Sequence, residues 1–154
     1  MDTVTYPSRE VQDFVGTRFV AAKFGLADRT AEVREVVRRF RTLWAPGFVV
    51  LDQRGEEIRR FIGYQPPRDF IAELQVALGK IDLLHRRPAQ AFTEFRGVAD
   101  LDPPAPVSAE AMYWAGIAAY QRDGTPLESL KDHWDELRTR FPESRWWTHA
   151  DIFR

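Results

Sequence analysis

Four positions in the second half of the chain recur at one constant offset: Ala91, Phe95, Val98 and Pro103 are matched 39 residues later by Leu130, Trp134, Leu137 and Pro142. A shared offset across four positions demands the same local geometry twice, since each position must bury or break the chain in the same way in both copies. Leu78-Gly79 and Ala115-Gly116 form a further pair at an offset of 37. The two-residue difference falls in the stretch from Gln121 to Pro126, a turn in which insertions are tolerated. The spacing predicts two helix-turn-helix repeats, with Arg87-Pro88 at the first turn and a short closing helix from Ser144 to Phe153.

Strand signals are confined to the residues before 72. Tyr6-Pro7-Ser8 is a turn ahead of a helix, with Ser8 expected to accept from an early amide and Glu10 suited to the positive end of the helix dipole. Val11, Phe14 and Val15 make its apolar stripe, and Gly16 is expected to end it. Phe19 to Phe24 reads as a mostly buried strand, because apolar and small residues run nearly unbroken. Thr30 is the expected cap of a second helix that places Val33, Val36, Val37 and Phe40 on one face. Phe48-Val49-Val50-Leu51 is an apolar strand too short to be a helix, and Asp52-Gln53-Arg54-Gly55 is a hairpin turn with Gly55 where a positive φ is needed. In the returning strand Glu57, Arg59 and Phe61 alternate with Ile58, Arg60 and Ile62, an imperfect pattern that marks an edge or near-edge strand. After Gly63-Tyr64-Gln65-Pro66-Pro67, the residues Phe70, Ile71, Leu74, Ala77, Leu78 and Ile81 predict a long amphipathic helix over 67–85.

The order helix, strand, helix, strand, strand, helix resembles the thioredoxin fold over residues 1–80. The pieces that carry the resemblance are Trp44-Ala45-Pro46, then Val49-Val50-Leu51-Asp52 with Gly55, then Arg60-Phe61-Ile62-Gly63-Tyr64. In that family the proline matching Pro46 is cis and lies beside the redox dithiol, where the neighbouring backbone pairs with an extended substrate. The resemblance therefore implies a cis Ala45-Pro46 bond and a binding site at Trp44, Ala45, Pro46 and Gly47. Relatives place a Cys-x-x-Cys motif a few residues before a segment like Thr3 to Val11, and this chain contains no cysteine. The implied sheet lacks its first strand and the catalytic turn, which leaves three strands. Residues 81–154 resemble tetratricopeptide repeats, the first of them sharing the helix over 67–85. The expected architecture is thus an α/β thioredoxin-like domain with a truncated sheet, followed by an all-α tetratricopeptide-like region.

The lack of cysteine also removes disulfides, thiolate nucleophiles, iron–sulfur clusters and cysteine zinc sites. His85, His133 and His149 fall on separate elements without metal-ligand spacing, no serine lies in a Gly-x-Ser-x-Gly elbow, and the glycines occur singly rather than in a phosphate loop. No catalytic residue, metal or cofactor is expected. Apolar runs such as Phe48 to Leu51 fall far short of the roughly 18 to 20 residues of a membrane helix, and no basic segment followed by an apolar one opens the chain. A cytoplasmic protein without membrane contact is expected. Arg34, Arg38 and Arg41 share a helix face, but at a net charge of −1 a solvated face accounts for them more simply than nucleic-acid binding. Adjacent helical residues point about 100° apart, so one of Trp146 and Trp147 is expected to project beyond the local core and to suit a homodimer seal. Two functions stand open: a redox-inactive module that binds protein or peptide, or a thiol-disulfide oxidoreductase or redox chaperone whose Cys-x-x-Cys segment lies upstream of Met1.

Overall fold

The computed structural model describes all residues except Leu26, Thr125, Glu128 and 152–154, together with the side chain of Ser129. The chain forms two compact units, Met1–Ile71 and Ala72–Arg154. Among the described residues it is mostly helical, with one small two-stranded antiparallel sheet.

The first unit contains α1 (Arg9–Arg18), α2 (Ala31–Phe40), β1 (Gly47–Leu51), β2 (Glu57–Ile62) and the opening turn of α3 (Pro67–Leu84). Thr30 caps α2 as expected, its hydroxyl accepting from the Val33 amide at 3.3 Å. Ser8 stands at the N-cap of α1 with extended backbone, but its side chain makes no capping bond. Nor does Gly16 end α1: it does not adopt the positive φ of a glycine stop, and the helix runs on to Arg18, where Phe19 turns extended.

The largest departure from expectation is Phe19 to Phe24. It is irregular rather than a strand; Val20 is fully exposed, and Ala21, Ala22 and Lys23 lie in solvent. A strand exists only by pairing, and this segment has no strand partner among the described residues. The sheet therefore has two strands instead of three.

In the hairpin, Gly55 takes φ +80° as the turn requires, and the Asp52 carboxylate accepts from the amides of Arg54 (2.8 Å) and Glu56 (2.9 Å). Phe48 pairs with Phe61, their rings stacked 4.7 Å apart, and Phe70 at the start of α3 meets them edge-on at 5.1 and 5.9 Å. This aromatic triad fills one face of the hairpin. Over the other face, Arg60 donates to the Phe40 carbonyl oxygen at the end of α2.

The second unit comprises the rest of α3, then α4 (Pro88–Ala99), α5 (Ser108–Asp123), α6 (Ser129–Arg140) and α7 (Arg145–Ala150). The expected final helix ends at Ala150, and residues 152 and 153 lie outside the described residues. The 39-residue offset is realised in the packing, for Ala91 and Leu130, Phe95 and Trp134, and Val98 and Leu137 are all buried. The glycine pair has matching roles. A Cβ on Gly79 would stand 2.6 Å from the Phe95 ring, and one on Gly116 would stand 2.9 Å from the Trp134 ring. Each glycine admits the aromatic ring that lies at the equivalent place on the next helix.

Trp146 and Trp147 are both half-buried against this core, Trp146 beside Tyr113 at 5.3 Å and Trp147 beneath the Arg138 guanidinium at 5.6 Å. Neither projects as a bare surface ring. Arg96 and Arg140 interlace with Asp100 and Glu136, so that a four-membered charge network ties α4 to α6. Among the described residues, five of the 25 buried apolar residues but seven of the nine exposed large apolar ones belong to the first unit.

Candidate functional site at the open edge of the hairpin

Four sequence-predicted site residues lie together where α2 hands over to β1. Arg41 ends α2 in the left-handed conformation (φ 47°), and Thr42 to Pro46 then lead into the strand. The Ala45–Pro46 bond is cis. Gly47 opens β1, and a Cβ there would lie 3.0 Å from the Trp44 carbonyl oxygen, so this bend favours glycine. The Pro46 carbonyl oxygen accepts from the Gly63 amide at 2.8 Å, and Gly47 is paired with Ile62. The loop Trp44–Gly47 therefore faces Ile62–Tyr64 across the mouth of the hairpin.

Two consequences follow. Trp44 is 70% exposed and Leu43 90%, while Ile62 and Tyr64 on the facing strand end are 54% and 55% exposed, so four large apolar side chains stand in solvent at one end of one hairpin. Such surface is uncommon unless something covers it. The second consequence concerns the backbone. Pro46 points its carbonyl at β2, and in an antiparallel pair successive residues alternate; Gly47 and Val49 therefore aim their N–H and C=O groups away from β2. Those groups have no hydrogen-bond partner among the described residues.

The two edges of the hairpin differ in chemistry. β2 carries Glu57, Arg59 and Arg60, and Arg60 grips the Glu57 carboxylate through two nitrogens, one at 2.9 Å. That hydrogen bond holds the Glu57 carboxyl below its usual range. Charges of this kind protect an edge strand against pairing with another chain. β1 reads Gly-Phe-Val-Val-Leu and has none.

The N-terminal turn fixes the neighbouring loop: the buried Thr5 hydroxyl donates to the Gln65 carbonyl oxygen at 2.5 Å, and Tyr6 meets Phe70 edge-on at 6.2 Å. Burial, the larger influence, pushes the Tyr6 phenol above its ordinary pKa.

No protein-family model, curated protein or solved structure matches this chain. The site's chemistry must be read from its own residues. Among the described residues no three His, Asp or Glu side chains converge on a metal position, and no helix is long and apolar enough to cross a membrane. The arrangement offers hydrogen bonding along a strand edge and apolar contact beside it. Sequence reasoning placed Trp44 to Gly47 but missed Leu43, Ile62 and Tyr64. Ile62 and Tyr64 join the site only through the hairpin register, whereas Leu43 could have been found as an apolar neighbour of Trp44 between two turn signals.

Proposed function

We propose that this chain is a thioredoxin-like protein without a dithiol, extended by tetratricopeptide-like helical pairs, and that it acts as a non-catalytic module binding protein or peptide at Trp44, Ala45, Pro46 and Gly47. The observation that carries the reading is the uncharged, unpaired edge of β1 beside an exposed apolar cluster. An extended segment laid along β1 satisfies the backbone groups of Gly47 and Val49, and its alternate side chains meet Leu43, Trp44, Ile62 or Tyr64. Main-chain pairing supplies affinity in this mode, and side-chain contacts supply selectivity. With no thiol in the chain, the mechanism is binding alone.

The test is selection of extended peptides from a random display library against the full chain, followed by affinity measurement with the Trp44→Ala variant. Loss of an exposed aromatic anchor at an interface costs at least about 1 to 2 kcal/mol, or roughly tenfold in Kd. Selected peptides that bind Trp44→Ala and wild type equally would defeat the assignment of the site.

A further inference from the structure

A second surface of the first unit lies apart from the strand edge. On α2, Val33 and Val37 form the floor of a groove of about 340 Å³, rimmed by Arg29, Arg34 and Arg38 with Asp28 at one end. Val33 is buried and Val37 half-buried, so the floor is apolar and the rim cationic. Arg38 is ion-paired to Glu35, and one Arg34 nitrogen donates to the Arg29 carbonyl oxygen at 2.8 Å. Arg29, Arg34 and Arg41 have no carboxylate partner among the described residues. The chain as a whole carries −1, so this cationic face is a local concentration rather than the consequence of a basic protein.

An arginine rim alone would be an ordinary solvated helix face. Here the rim borders an apolar floor, and the two demand different things of an occupant. Nucleic acid supplies charge but leaves the valines bare; an apolar peptide covers the valines but leaves Arg29 and Arg34 without a carboxylate partner. A segment with aliphatic or aromatic side chains on one face and carboxylates flanking them satisfies both. Arginine presents its planar donors to carboxylates in pairs, which suits the rim to such a partner.

We propose that the groove between Val33, Val37 and the arginines of α2 binds an acidic amphipathic helix of a partner protein. This surface is independent of the β1 edge. The helix seats one or two large apolar side chains over Val33 and Val37, and its Asp or Glu residues pair with Arg29, Arg34 and Arg38.

The probe is a fluorescein-labelled 14-residue helical peptide with Leu at positions i, i+3, i+4 and i+7 and Glu on the flanking positions. Binding to the full chain is followed by fluorescence polarisation. Expected are saturable binding, at least tenfold weakening in Arg34→Glu/Arg38→Glu, and comparable weakening when the probe's Leu residues are replaced by Ser. Affinity should fall as salt is raised and should be unchanged in Trp44→Ala, which separates this site from the strand edge. Both arginines are exposed, so the double variant retains the fold; circular dichroism checks this. Equal binding of the Ser-substituted probe, or displacement by oligo-dT of the same charge at equal concentration, would reduce the groove to bare charge and overturn the proposal. So would full retention of binding in Arg34→Glu/Arg38→Glu.

Discussion

Replacing Gly79 by alanine sets two opposed effects against each other within α3. The helix gains, since alanine is about 1 kcal/mol better than glycine in a helix interior. The packing loses: the new Cβ would lie 2.6 Å from Cε1 and Cζ of Phe95 and 2.9 Å from its Cδ1, where carbon contacts normally settle near 3.5 to 4.0 Å. Phe95 cannot swing aside easily. It is fully buried and its ring lies nearly parallel to Trp114, centroids 6.3 Å apart, so relief requires α3 and α4 to separate. Overpacking of a close-packed core costs about 1 to 3 kcal/mol, and set against the gain of about 1 kcal/mol in propensity it leaves a net loss of up to about 2 kcal/mol. Gly97 on α4 is the internal control, because a Cβ there meets nothing nearer than the Gln75 amide nitrogen at 3.5 Å. Gly97→Ala should be neutral or stabilising by up to about 1 kcal/mol. Urea unfolding followed at 222 nm reads both variants. Trimming the ring in Gly79→Ala/Phe95→Leu should cost less than the two single substitutions added together, since the smaller side chain relieves the clash. A Gly79→Ala protein as stable as Gly97→Ala would refute the close approach of α3 and α4.

Ser108 accepts from the Ala105 amide and donates to the Val98 carbonyl oxygen, each at 2.9 Å and fully buried, so Ser108→Ala should cost about 1 to 3 kcal/mol in the same unfolding experiment through the stranded Ala105 donor. The hydrogen bond from Arg96, reinforced by Arg140 and opposed by partial burial, holds the Glu136 carboxyl below its usual range. A depressed folded pKa gives stability that is fully present above the unfolded value of about 4.3 and is lost as pH falls through the folded one; Glu136→Gln should therefore flatten the decline in stability below about pH 4.5. At pH 7 its cost should be under about 1 kcal/mol, since the side chain is 38% exposed and the network is screened, and acid titration of Tm with both proteins measures each effect.

What could be read from the chain divides along the range of the interactions involved. The α2 cap at Thr30, the Asp52–Gly55 turn and the long helix from Pro67 depend on neighbours a few residues away, and each stands where the spacing places it. The 39-residue offset was legible because each aromatic and its glycine are fixed by helical geometry within one hairpin. Phe19 to Phe24 has the composition of a strand, yet composition cannot provide a neighbour, and the segment stays unpaired. The same limit hid half of the candidate site. Trp44 to Gly47 stood out through the resemblance to the thioredoxin fold, whereas Ile62 and Tyr64 reach them only once the register from Gly47–Ile62 to Phe48–Phe61 is set. Ser8 and Gly16 show the weakness of single-residue signals: Ser8 holds the N-cap position without the side-chain bond expected of it, and Gly16 lies inside a helix that runs on to Arg18.

The most direct measurement is amide hydrogen exchange of Gly47 and Val49, free and with a display-selected peptide bound. Both N–H groups face the open edge of β1, so pairing with an extended peptide should slow their exchange at least tenfold, while Phe48 and Val50, already turned toward β2, change less. A peptide that binds the chain yet leaves Gly47 and Val49 exchanging at their free rates would contradict recognition at this edge.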